Sequence, residues 1–179
     1  AVLGFLSMDG ILGSNSGHSN AVFGHAALSY NQTGSNNAVF GKSALFNSVL
    51  GSDNAVFGTY AASANQAGHR HTVFGDAGLQ FHKTGNGITA FGVSALNSDE
   101  SGTQNVAFGH LALQDNISGN ANTAMGVSAL YANTKGSFNT ALGQNVLSKN
   151  KSHSNTVAGF YTLDENTTGS NNTALGSYA

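Results

Sequence analysis

The sequence predicts an all-β chain wound as a parallel β-solenoid, a β-roll of about ten 17-residue rungs. The first observation behind this is a fixed period. Gly24, Gly41, Gly58, Gly75, Gly92, Gly109, Gly126 and Gly143 are each 17 residues apart; a step of 16 leads to Gly159 and one of 17 to Gly176. The second is the word before each glycine, a short apolar run such as Ala38-Val39-Phe40, bounded by Asn and Gly, which break helices. Helical-hairpin repeats also need about 33 residues, far more than one unit supplies. The third is composition: charged residues are 8%, against about 25% in ordinary globular chains, and Pro, Cys and Trp are absent.

Taken in order, residues 1–19 read as a degenerate first repeat. Ala1-Val2-Leu3-Gly4 lies 20 residues before Gly24, so that unit carries an insertion. Residues 20–179 are the regular 17-residue repeats, uncapped at the C-terminal end. In each, the word is expected to be a first strand and the following Ala-Leu a second, with the Asn-x-x-Gly stretch supplying left-handed turn residues. Stacked rungs about 4.8 Å apart would make a rod roughly 50 Å long. Each column then becomes a ladder of like residues. Phe23, Phe40, Phe57, Phe74, Phe91 and Phe108, followed by Met125 and Leu142, form one core ladder. Leu28, Leu45, Leu79, Leu96, Leu113, Leu130, Leu147 and Leu163 form another, with Ala62 in their column. Asn20, Asn37, Asn54, Asn105, Asn122, Asn139, Asn155 and Asn172 hold a fixed position too, interrupted by His71 and Ile88. They read as an Asn ladder bonded from rung to rung, or simply as turn formers.

Successive strand residues point to opposite faces, so Val22 next to Phe23 asks for cover on both. Two solutions are open: a parallel homotrimer around a central axis, or a wider single-chain coil with both residues inside at a bend.

The words Gly34-Ser35-Asn36-Asn37-Ala38-Val39-Phe40-Gly41-Lys42-Ser43-Ala44-Leu45 and Gly169-Ser170-Asn171-Asn172-Thr173-Ala174-Leu175-Gly176 resemble the head repeats of trimeric autotransporter adhesins and related repeats of bacteriophage-type tail fibres. The resemblance covers roughly residues 20–179 and implies a left-handed β-roll wound as a tight trimer. Units here are longer than the usual adhesin repeat and favour Phe over Ile. Neither end reads as a cap, so a segment of a longer fibre or an end-to-end polymer is expected.

No catalytic constellation or cofactor site is expected. Acids are few, and the pairs Asp99-Glu100 and Asp164-Glu165 read as solvated turn residues. No metal site is expected either. His69 and His71 are the pair weighed for one, since His-x-His pairs bind metal in some tail fibres; the plainer reading is two exposed polar residues in a turn. Acceptor motifs for glycosylation begin at Asn31, Asn116, Asn150, Asn166 and Asn171, as chance allows in an Asn-rich repeat. A net charge of -2 gives no footprint for nucleic acid or an anionic membrane, and no 18-residue apolar run offers a membrane span.

The expected role is non-enzymatic: a head or shaft segment of an extracellular, cell-surface or virion fibre serving adhesion. The partner is the chain itself, as homotrimer or head-to-tail filament, with a surface receptor or glycan beyond it. A self-polymerising filament is the alternative. An ice- or surface-binding array is weaker, because Thr72, Thr89, Thr123, Thr140, Thr156 and Thr173 make one column, not a lattice.

Overall fold

Each glycine-terminated word forms one strand, and the strands stack. The computed structural model describes residues 2–3 and 16–179; the insertion expected in the first repeat lies outside the described residues. The strands are β1 (Val2–Leu3), β2 (Ala21–Phe23), β3 (Ala38–Phe40), β4 (Ala55–Phe57), β5 (Thr72–Phe74), β6 (Thr89–Phe91), β7 (Val106–Phe108), β8 (Thr123–Met125), β9 (Thr140–Leu142), β10 (Thr156–Phe160) and β11 (Thr173–Ser177). They form one parallel sheet in chain order. Register follows the repeat: Val39 faces Val56 and Phe40 faces Phe57. The 16-residue step leaves Val157 opposite Ala141. The chain is thus an all-β parallel β-solenoid of about ten rungs, with no helix among the described residues.

The central residue of each word points inward. Val22, Val39, Val56, Val73, Ala90, Ala107, Ala124 and Ala141 are fully buried. They meet the Leu column, which is also fully buried from Leu28 to Leu147, with Leu163 packed at its end. One turn of chain encloses a core in which these columns pack together.

The Ala-Leu segment is not a second strand. It is a turn in which alternate residues are left-handed: Ser43 (φ 54°) then Leu45 (φ 48°), Ser94 (φ 55°) then Leu96 (φ 52°). The left-handed position was expected at the Asn-x-x-Gly stretch and falls instead on Leu, where a side chain costs about 1–2 kcal/mol per residue. Burying Leu returns about 1.5–3 kcal/mol, so burial offsets the strain. Peptide groups still bond along the axis. Ser43 N–H donates to His25 O at 2.8 Å, whereas Leu45 N–H donates to Ala61 O at 3.0 Å in the coil on the other side. A third left-handed residue, such as Asn36 (φ 59°) or Arg70 (φ 58°), precedes each Asn column position.

The glycine ending each word is fixed by space as well as by dihedral. At Gly75 (φ 141°) a Cβ would lie 2.3 Å from Gly92 O of the next coil. In the short unit, the column of the second glycine is filled by Ser152 rather than by His153. Asn139 Nδ2 donates to Ser152 O at 2.8 Å, as Asn122 Nδ2 does to Gly136 O. The deletion is therefore taken up in the turn before Ser152, where it leaves the strands in register.

Candidate functional site

The outer face of the sheet carries the aromatic column. Phe23, Phe40, Phe57, Phe74, Phe91 and Phe108 stack face to face, with centroids 4.5–4.8 Å apart and planes within 12°. That spacing is the strand repeat itself. Within one chain these rings lie outside the core, because they alternate with the buried Val and Ala positions. Phe108 is 38% exposed, Met125 46% and Leu142 40%. Beside them on the same face run the half-buried Ala38, Ala55, Thr72, Thr89, Val106 and Thr123. The wider coil with both residues inside is not what the chain adopts. A continuous apolar stripe of this length on the exterior is unusual for a lone soluble chain.

The interior holds two polar ladders. Asn37 Nδ2 donates to Asn20 Oδ1 at 3.0 Å and to Gly51 O at 2.9 Å, and its backbone N–H reaches the same Oδ1 at 2.9 Å. Asn54 repeats this on Asn37, and Asn122, Asn139, Asn155 and Asn172 do so higher up. The second ladder stands seven residues after each word, at the position read from sequence as a turn. Asn133 Nδ2 donates to Asn116 Oδ1 at 3.1 Å, and Asn166 Nδ2 to Asn150 Oδ1 at 3.2 Å. A third ladder lies at the surface, and sequence reasoning missed it because its residue type varies. Each member needs only an acceptor near Cβ: Ser35 N–H bonds Ser52 Oγ, Ser52 N–H bonds His69 Nδ1, and His69 N–H bonds Asn86 Oδ1.

Both interior ladders are interrupted in the same coils. In the first, His71 replaces Asn and its Nδ1 accepts from Ile88 N–H at 3.3 Å; Ile88 then offers no acceptor upward. In the second, which Ser48 already breaks lower down, His82 and Asp99 replace Asn. All four side chains are buried. His71 and His82 meet edge to face at 4.8 Å, and His82 Nδ1 lies 3.9 Å from Asp99 Oδ2. His71 Nε2, both His82 ring nitrogens and Asp99 Oδ2 make no hydrogen bond of good geometry. Burial holds His71 down to about 3, helped by the positive charge that His82 and His69 would carry. Burial also holds His82 down to about 4 and pushes Asp99 up to about 7, against the pull of Gly102 N–H and the Asn105 and Asn116 amides.

Asp99 is thus no solvated turn residue, and His71 is not exposed; their positions belong to inward columns. Glu100 and Glu165 do face solvent, paired with Lys83 and Lys149. The His69 and His71 imidazoles each use Nδ1 to accept a backbone N–H, from Ser52 and Ile88 respectively. Among the described residues no group of three or more His, Asp, Glu or Cys is placed to hold a metal ion. Asn31, Asn116 and Asn150, three of the glycosylation acceptors, are buried ladder members. A groove of about 380 Å³ lies between Ser128, Tyr131 and Ala132 of one coil and Asn145, Ser148 and Lys149 of the next. No described helix is long and apolar enough to cross a membrane. Compared with protein families, curated proteins and solved structures, the chain matches none.

Proposed function

We propose that this chain is a structural segment, head or shaft, of an extracellular or virion fibre that serves attachment to a host or surface, and that it works as a parallel homotrimer. The observation carrying this reading is the stacked Phe column on the outer face of the sheet. Three copies packed around one axis would remove that stripe from water, and a closed ring limits assembly at three. Burial is worth roughly 25 cal/mol per Å² of apolar surface, and the stripe repeats in nearly every coil, so the gain grows with fibre length. The surroundings fit a passive, rigid role: ladders of backbone and amide hydrogen bonds give stiffness without disulfides. The resemblance to adhesin heads and tail fibres supports the same reading.

Light scattering at two concentrations tests it. A fixed mass of three chains at both is expected. A monomer at both concentrations would leave the stripe without its partner and overturn the trimer. Mass that grows with concentration into long rods would replace it with the end-to-end filament.

A further inference from the structure

The break in the first ladder and the ionisable members of the second fall together. The first Asn ladder runs through Asn20, Asn37 and Asn54, stops at His71 and Ile88, and resumes at Asn105. The second is continuous from Asn116 to Asn166; below, its column passes through Asp99 and His82 to Asn65, Ser48 and Asn31. One slab of the rod, between residues 71 and 99, therefore lacks the Asn-to-Asn bonds with which the first ladder ties coils together on either side. It encloses three ionisable side chains, two of which face each other across 3.9 Å, His82 Nδ1 and Asp99 Oδ2, without a hydrogen bond, while Asp99 Oδ1 accepts from Gly102 N–H at 2.7 Å.

The chemistry of each group has a direction. His71 Nδ1 serves as an acceptor for Ile88 N–H; a proton there turns it into a donor pointing at a donor. His82 lies edge to face against His71, so two imidazolium ions would be forced into contact in a dry interior. The single acidic side chain inside is Asp99, which meets only one of them. His69 lies close enough to add to the repulsion on His71. On the outer surface Lys83 and Glu100 neutralise one another at 2.9 Å. Arg70 and Asp76 are exposed, and no other charged side chain enters the interior of the slab; its remaining interior neighbours are amides, such as Asn65 and Asn105, and apolar groups.

We propose that the coils carrying His71, His82 and Asp99 are an acid-labile joint in the rod: protonation of the buried imidazoles opens the solenoid there, while the blocks on either side, residues 20–54 and 105–172, in which the first Asn ladder is intact, stay closed. The low affinity of both imidazoles for a proton in the closed rod is the same fact from the other side, since opening lets them take protons up. This joint is a property of one chain and does not depend on the trimer.

The test is amide hydrogen exchange of the intact chain at pH 7 and pH 4.5, corrected for the intrinsic rate, alongside the triple variant H71N/H82N/D99N, which replaces the three ionisable side chains by Asn and leaves Ile88 in place. For the wild type, protection over residues 66–104 is expected to fall at least tenfold more than protection over the two flanks at pH 4.5. The triple variant is expected to lose that contrast while keeping its flanks protected. Uniform protection along the wild-type rod at pH 4.5 would overturn the joint. So would a local loss that persists unchanged in the triple variant, since the three side chains would then not be its cause.

Discussion

A single Asn-to-Asp change in the second interior column alters what pH does to this protein. Where Asn133 donates one amide hydrogen to Asn116, Asp99 has no hydrogen to give His82 unless it is protonated. Its folded value of about 7 stands above the 3.8 of an unfolded chain, so stability from Asp99 is intact below about pH 4 and is lost as pH rises toward 7. The imidazoles run the other way: with folded values of about 3 and 4, they lose stability as pH falls below 6.5. Between pH 4 and 6.5 two His outweigh one Asp, leaving a net slope of about one proton, or roughly 1.4 kcal/mol per pH unit. Asp99→Asn is therefore expected to stabilise the chain at pH 7, with the gain shrinking to nothing near pH 4. Unfolding midpoints in denaturant across that range would show it; a variant less stable than wild type at pH 7 would contradict the assignment.

Within one rung, the decisive element is the turn after the strand. Leu96 sits at φ 52° and is fully buried. Leu96→Ala should cost about 2–5 kcal/mol, because it empties a slot in the packed core. Leu96→Gly empties the same slot but relieves the left-handed strain, worth about 1–2 kcal/mol. The Gly variant is thus expected to be as stable as the Ala variant or more so, the reverse of the order in an ordinary strand, where Gly is worse by about 0.5–1 kcal/mol. Chemical denaturation of the two side by side decides it. If Gly proves the worse of the pair, Leu96 is not left-handed.

For the whole molecule, the question is what the outer stripe meets. Phe57 stacks on both Phe40 and Phe74 at 4.7 and 4.5 Å, yet its ring remains partly open to water in a single chain. Phe57→Asp leaves the inward core of Val56, Ala61 and Ala62 untouched. A monomeric solenoid should tolerate it with a modest loss of stacking. In a trimer the substitution would bring three carboxylates together in a dry seam, and assembly is expected to be lost with the coil still folded. Circular dichroism with light scattering separates the two; a variant that still assembles as wild type does would remove the stripe from the interface.

Much of this was legible from residues alone. The 17-residue period fixed the number of rungs, the in-phase register and the columns, because a coil that closes once per repeat must stack like on like. It also identified Asn37 and its relatives as a ladder candidate. The period says where a residue recurs but not which way its column points. Asp99 looked like a solvated turn acid, and its column turned inward only when the chain closed around the Leu side chains. The Ala-Leu segment looked like a strand, because hydrophobicity does not reveal a backbone of alternating hand. Residue type could not disclose the surface ladder either, since Ser, Asn and His share only an acceptor at one reach. Spacing along the chain set the repeat; closure of the coil, which sorts each column into core, ladder or surface, was decided by tertiary packing and hydrogen bonding between rungs.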